Sequence, residues 1–174
     1  MDTSGKSHCA WCGGALCREY IDEAWRLVCS SCGRITYENP TVGVAGILFA
    51  PDGRVLLVRR AKGETREGNW CLPCGHIEYN EDVRHGLVRE LREETGFLTE
   101  PVSVYTAYSN FHEPKAHTVG IWFLVRVVGG ICQSGDDASE ADFFALDHLP
   151  TLAFETDRIV LHSLKERAQA AAKL

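Results

Sequence analysis

The sequence predicts an α/β or α+β sandwich with a small cysteine-rich segment in front of it. Three observations carry the prediction. Two β-branched runs joined by a tight turn, "TVGVAGILFAPDGRVLLVRR", open a strand-rich region. A helical stretch over residues 81–95 lies among the strands, and a second helical stretch closes the chain. Residues 1–38 hold five of the eight cysteines and no pattern long enough for a helix, so the chain divides into 1–38 and 39–174.

Taken in order, the first two strands meet at "PDG", where Gly53 accepts positive φ. After "NWCLPCG" the helix runs over 81–95, with Asn80 as N-cap and Gly96 as stop. Val83, Leu87 and Leu91 form its apolar stripe. "VSVYTAYSNF" and "HTVGIWFLVRVVGG" read as further strands and "ADFFAL" as a short one. The closing helix is "ETDRIVLHSLKERAQAAAKL", with Thr156 as its cap.

At 174 residues, 45% hydrophobic and 24% charged, the chain has the composition of an ordinary soluble protein. Its net charge of −6 argues against general binding to phosphate backbones, which takes clustered Lys and Arg. An acidic protein still handles phosphates when it recruits divalent cations. "MDTSGKSHCA" lacks the apolar core of a signal peptide, and "VGVAGILFA" is about half the length of a membrane span. A soluble, cytoplasmic protein is the expectation. In a reducing compartment, paired cysteines are read first as zinc ligands.

Cys9-x2-Cys12 and Cys29-x2-Cys32, sixteen residues apart, form the arrangement that tetrahedral Zn²⁺ takes. Each short turn presents two thiolates, and the loop between brings the pairs together. Cys17 is off register and is expected as a small buried apolar residue. So short a segment cannot bury a sufficient core by itself, and the ion is read as a folding staple. Residues 1–40 carry four Lys or Arg against five Asp or Glu, which disfavours a nucleic-acid-binding ribbon. A third C-x-x-C, Cys71 and Cys74, leaves open a knuckle, a redox pair or the lead-in to another motif.

The helix carries an odd set of carboxylates. At about 100° per residue, Glu90 and Glu94 point within about 40° of each other, with Glu93 about 60° further round. Glu90 and Glu94 fall inside or against the apolar stripe. Acids facing burial are costly, and several together raise one another's pKa, unless a cation holds them ionised. Mg²⁺, a hard ion that prefers oxygen ligands, is the natural candidate. On this stretch alone, a solvated acidic face with pairs such as Arg89–Glu93 is the alternative.

The stretch does not stand alone. Gly75 is followed after five residues by Glu81, and after seven more by Arg89, Glu90, Leu91, Arg92, Glu93, Glu94, Thr95, Gly96 and Phe97. This resembles the Nudix box, G-x5-E-x7-R-E-U-x-E-E-x-G-U with U apolar, at every specified position. Seven fixed identities arise by chance at roughly 10⁻⁹ per starting point. "NPTVGVAGILF", "VLLVRR", "GNWCLPCGHIE" and "LAFETDR" resemble flanking segments of Nudix hydrolases that carry an amino-terminal zinc ribbon. The resemblance implies a Nudix-type α/β/α sandwich with a mixed sheet, its box forming a loop-helix-loop that grips Mg²⁺ or Mn²⁺. It also makes "CLPCG" the strand end and turn that feed the box, with its C-x-x-C spacing coincidental.

Site residues follow from the same resemblance. Glu90, Glu93 and Glu94 are implied to be the Mg²⁺ shell, with the Gly75 carbonyl as a further ligand, while Glu81 and Arg89 fix the loop-helix-loop. The general base in this family is a glutamate of the box or an acid from a distant loop. Glu140, just before a strand in "GDDASEADFF", is the outside candidate, whereas Asp136 and Asp137 read as solvated turn residues. Arg59 and Arg60 end a strand near the expected phosphates, and one of them is expected to anchor substrate. Trp70, Phe111 and Trp122 are candidates for stacking on a base, with core packing the expected use of at least two. His112 and His117 flank a loop that reads as a substrate border or as plain surface.

The implied reaction is Mg²⁺-dependent hydrolysis of a nucleoside diphosphate linked to another moiety, releasing a nucleoside monophosphate. The S-Q-P-W-P-F-P-x-S motif of NADH-cleaving members is absent. Pro114 lies where ADP-ribose-cleaving members often carry a proline, which points to an ADP-ribose- or FAD-like dinucleotide. The alternatives are a non-catalytic nucleotide sensor or RNA-binding module, and a triphosphate- or cap-cleaving enzyme. A small-molecule nucleotide is the expected partner, in preference to nucleic acid or membrane, and a homodimer is compatible with the family.

Overall fold

The computed structural model describes residues 5–113 and 116–171; the side chains of residues 112, 113, 116 and 171 lie outside that description. The expectations placed on Pro114 and on the His112 side chain therefore fall outside the described residues.

The amino-terminal segment is a three-stranded antiparallel sheet of β1 (Leu16–Ile21), β2 (Ala24–Cys29) and β3 (Ile35–Thr36). Leu27 and Val28 are its buried apolar side chains. Cys17 is exposed, against expectation, because so short a segment has too little chain to cover both faces of its sheet.

The remaining strands form two sheets. β4 (Thr41–Leu48) runs parallel to β9 (Ala116–Gly130), in register from Thr41 opposite Thr118 to Leu48 opposite Val125. β8 (Phe97–Glu113) lies antiparallel to β9, and β7 (Cys74–His76) lies antiparallel to the other edge of β4. This mixed sheet has the order β7-β4-β9-β8. The second sheet places β5 (Val55–Arg60) between β10 (Ala138–Phe144) and β6 (Trp70–Cys71), all antiparallel.

Strand alternation fixes the layers. Leu56 turns toward α1 (Val83–Thr95), packing with Val44, Leu48, Leu87, Leu91 and Phe123. Val55 and Leu57 turn toward α2 (Glu155–Ala171), packing with Ile47, Trp122, Val160 and Leu161. Each such aliphatic side chain stabilises the fold by about 1.5–3 kcal/mol through burial. The α/β/α sandwich with a mixed sheet is thus observed.

Two helix starts differ from expectation. α1 begins at Val83, capped by Asp82, whose carboxylate accepts from the Arg84 amide at 2.9 Å; Asn80 is not the cap. Glu81 stays outside the helix because its carboxylate is engaged by the Glu78 amide and by Arg89. Gly96 ends α1 as expected, in left-handed conformation with its N–H donating to the Arg92 carbonyl. α2 begins at Glu155, which puts Thr156 inside the first turn, buried, instead of at the cap. Among the described residues no helix is long and apolar enough to cross a membrane.

Candidate active site

Cys9, Cys12, Cys29 and Cys32 converge, with all four sulfurs within 4.8 Å of one another. The two knuckles repeat one backbone pattern. Gly13 donates to the Cys9 carbonyl and Gly33 to the Cys29 carbonyl, each at 2.9 Å, so both turns fold their thiols inward. Four thiol ligands at tetrahedral reach fit a structural Zn²⁺.

The third C-x-x-C has a different role. Cys71 ends β6 in one sheet, Cys74 begins β7 in the other, and Leu72 and Pro73 cross between them. Cys71 is fully buried and Cys74 packs beside it, with its amide donating to Glu94 Oε2 at 2.8 Å.

α1 presents its acids as the stripe argument requires. Glu94 is buried, Glu90 is half-buried and Glu93 is exposed. Burial pushes the Glu94 carboxyl well above the usual range, helped by the neighbouring Cys74 and Asp137, while the Cys74 amide opposes the shift. Burial also raises Glu90, with Arg89 opposing. Glu94 Oε1 is buried and has no hydrogen-bond partner. A buried oxygen without a donor, with the Asp137 carboxyl beside it, is relieved by a shared proton or by a cation.

Arg89 organises the loop in front of the helix. Its Nε and Nη2 donate to the two oxygens of Glu81, each at 2.8 Å, a bidentate pair. Nη1 donates to Glu90 at 2.8 Å and to Glu93 at 3.0 Å, and Nη2 also donates to the His76 carbonyl at 3.1 Å. The guanidinium holds Glu81 down at about 2. Gly75 lies so close to Glu90 that an added Cβ would sit within 3.0 Å of its carboxylate carbon and both oxygens. Among the described residues only the cysteine quartet has its ligand atoms converged within 4.8 Å, whereas Glu90 and Glu93 are drawn onto Arg89. Glu90, Glu93, Glu94 and the Gly75 carbonyl are nonetheless all oxygen donors, the type a hard divalent cation takes.

The outside acid that reaches this cluster is Asp137. Residues 133–135 dock on the end of α1: the Gln133 amide donates to the Thr95 carbonyl and the Gly135 amide to the Glu94 carbonyl. Asp137 consequently lies beside Glu94 and near Glu90, and its charge raises both. It lies in the turn as expected, but its carboxylate is not left to solvent, since Arg60 Nη1 holds it at 3.0 Å. Asp136 does occupy a turn, at φ 52°. Glu140 lies opposite Arg59 in the β10–β5 register and pairs with it at 3.3 Å on the surface. An exposed pair of this kind contributes ~0–1 kcal/mol.

Of the stacking candidates, Trp122 is buried and its Nε1 donates to Asp157 at 3.2 Å. Trp70 is half-buried and packs edge-on against Phe144 at 4.7 Å. Two of the three are therefore packing residues. Phe111 is exposed and stacked on His117 at 4.3 Å.

Comparison with known proteins agrees with this geometry. A family model described as the NUDIX domain matches residues 39–164, and a zinc-ribbon model described as Nudix N-terminal matches residues 7–38. The ADP-ribose pyrophosphatase of Methanocaldococcus jannaschii is 40% identical over 125 residues, covering 71% of this chain and 73% of that protein. The RNA pyrophosphohydrolase of Caulobacter vibrioides is 33% identical over 134 residues, covering 70% and 72%. The 8-oxo-dGDP phosphatase of Homo sapiens is 32% identical over 136 residues, and this chain spans only 40% of its length. Among solved structures, a Nudix hydrolase from Nitrosomonas europaea has a TM-score of 0.80 at 28% identity, covering 94% of this chain and 93% of that one. A fold and a site that suit diphosphate cleavage thus coincide with a match over most of the sequence. The chain belongs to the Nudix hydrolases, with the zinc ribbon of that family at its amino terminus.

Proposed function

We propose that this enzyme hydrolyses the diphosphate bond of a nucleoside diphosphate linked to another moiety, with an ADP-ribose-like dinucleotide as substrate and Mg²⁺ as cofactor. The observation that carries the reading is Glu94: a buried carboxyl with one oxygen left without a donor, held by the Cys74 amide that precedes Gly75 and lying beside Asp137. The sequence relative with an ADP-ribose pyrophosphatase activity supports the choice of substrate.

Glu90, Glu93, Glu94 and the Gly75 carbonyl would hold the ion, which when bound neutralises diphosphate oxygens and lowers the pKa of a coordinated water. Arg89 keeps Glu81, Glu90 and Glu93 in one array, so the carboxylates are oriented before substrate arrives. In this reading Asp137 accepts the proton of the attacking water, the role that the sequence suggested for Glu140. Arg59, exposed at the end of β5, remains the candidate anchor for a substrate phosphate. Residues 1–38 act as a structural ribbon and residues 39–174 as the hydrolase domain.

The test is turnover of a panel containing ADP-ribose, FAD, 8-oxo-dGDP and triphosphorylated RNA, with products resolved by chromatography. ADP-ribose giving AMP in a Mg²⁺-dependent reaction is the expected outcome. Glu93→Gln and Glu94→Gln are each expected to lower kcat by on the order of 10²–10³-fold while the fold persists by circular dichroism. Undiminished turnover in both would falsify the reading.

A further inference from the structure

We propose that Arg60 is a positioning residue for this reaction: it sets Asp137 against the Glu90–Glu94 pair and is not a substrate anchor. The inference rests on the reading of the site as a diphosphatase in which Asp137 handles the proton.

The two arginines that end β5 are placed differently. Arg59 is on the surface, its side chain 46% exposed, whereas the Arg60 side chain is 11% exposed. Arg60 lies over the ring of Phe154, with its guanidinium carbon 5.9 Å from the centroid. Its donors are committed within the protein. Nη1 donates to Asp137 at 3.0 Å, Nη2 to Glu64 at 2.9 Å and Nε to the Thr65 carbonyl at 3.3 Å. An anchor for an incoming phosphate needs N–H groups that face the solvent, and this guanidinium is spent on its neighbours.

The backbone ties the same two residues together. The Arg60 position is in register with Ala138 across the β5–β10 ladder, and the Ala61 amide donates to the Asp137 carbonyl at 2.8 Å. Asp137 is thus fixed through its main chain on one side and through its carboxylate on the other. The second restraint is the one that matters electrostatically. The turn that carries Asp137 is docked on α1 through the Gly135 amide and the Glu94 carbonyl, which brings a third acid to Glu90 and Glu94, and like charges so grouped need a cation nearby. Arg60 supplies the opposing charge, 3.0 Å from the Asp137 carboxylate. Because Glu64 and Thr65 share the same guanidinium, the loop after β5 is pinned by that contact too.

The experiment is a double-mutant cycle on the full chain with ADP-ribose and saturating Mg²⁺, reading kcat, KM and melting temperature for Arg60→Met, Asp137→Asn and the double variant. Asp137→Asn is expected to lower kcat by on the order of 10²–10⁴-fold, as loss of a proton acceptor does. Arg60→Met is expected to lower kcat by on the order of 10²-fold at unchanged KM, the scale of an ångström-sized misplacement. In the double variant the losses are expected not to multiply: it turns over as Asp137→Asn does, because the residue that Arg60 positions is already gone. Arg60→Lys, which keeps the charge, is expected to recover part of the loss, and it carries the test if the Met variant does not fold.

A raised KM with kcat retained would make Arg60 an anchor and overturn the proposal. Losses that multiply in the double variant would overturn it as well. A wild-type kcat in Asp137→Asn, alongside an inactive Glu93→Gln, would remove the proposal yet leave the diphosphatase reading standing. Full activity in Glu93→Gln would remove that reading itself.

Discussion

Replacing Gly75 by alanine isolates one atom's worth of chemistry. The β7 backbone at Gly75 is not in the left-handed region, so alanine is conformationally allowed and only the new Cβ counts. That Cβ would fall within 3.0 Å of Glu90 Cδ, Oε1 and Oε2, closer than real Cβ atoms come to anything. Glu90 cannot swing freely, because Arg89 holds it at 2.8 Å and its side chain is only 12% exposed. The carboxylate must therefore retreat by roughly 1 Å or more, a misplacement that costs on the order of 10²-fold in rate. The stability cost is small by comparison. Loosening a partly exposed ion pair costs about 1 kcal/mol at most, or about 2–4 °C in Tm for a chain of this length. Metal titrations of turnover are expected to show kcat down by on the order of 10²-fold and a higher half-saturating Mg²⁺ concentration, with Tm within a few degrees of wild type. Unchanged kcat and unchanged metal dependence would refute the placement of Glu90 and Gly75 around one ion. A collapse in Tm would show that β7, and not Glu90, yields to the clash.

Two further outcomes follow from residues outside the box. Asp157 is buried and accepts from the Leu72 amide at 3.0 Å and from Trp122 Nε1 at 3.2 Å, yet burial still raises its pKa from 3.8 to about 6. The folded chain then binds this proton more tightly than the unfolded one. Its stabilising contribution is full below about pH 4 and is lost as pH rises through about 6, an effect of about 3 kcal/mol. Asp157→Asn is expected to flatten the pH dependence of the urea midpoint over that interval, and an unaltered slope would exclude Asp157 as its source. Elemental analysis is expected to return one Zn²⁺ per chain, with Cys29→Ser releasing it; two ions would return Cys71 and Cys74 to the list of ligands.

What was legible in the sequence is what is local along it. Each cysteine knuckle and the Glu90–Glu94 turn of helix lies within a few residues, so turn or helical geometry sets how its side chains are presented, and one hairpin, β1–β2, joins the two knuckles. The sequence does not decide the start of α1, because Asn80 and Asp82 are both good caps. The decision fell to Glu81, whose grip on Arg89 requires it to stay out of the helix. The environments of Thr156 and Cys17 depend on tertiary information, namely where α2 docks and how little covers the ribbon. Asp137 was hidden for a deeper reason. "GDDASE" reads as a solvated turn, and only the docking of residues 133–135 on α1, together with the β10–β5 register, brings one of its acids near Glu94. Hydrogen bonds between residues forty positions apart leave no local trace. The adjacent Arg59 and Arg60 differ for the same reason: strand alternation says that they face opposite ways, and the rest of the fold decides which way is inward.

Gly75 belongs to one sheet, whereas Arg60 and the strand that follows Asp137 belong to the other. The residues proposed for catalysis are therefore drawn from both sides of a seam, and the gap between the two halves is set by whatever fills the interior they share. Ile47, Leu57, Leu72 and Trp122 are among that filling. A change of volume there, touching no reacting group, is felt as a change in reach between halves, so turnover is a more sensitive gauge of interior fit than melting is.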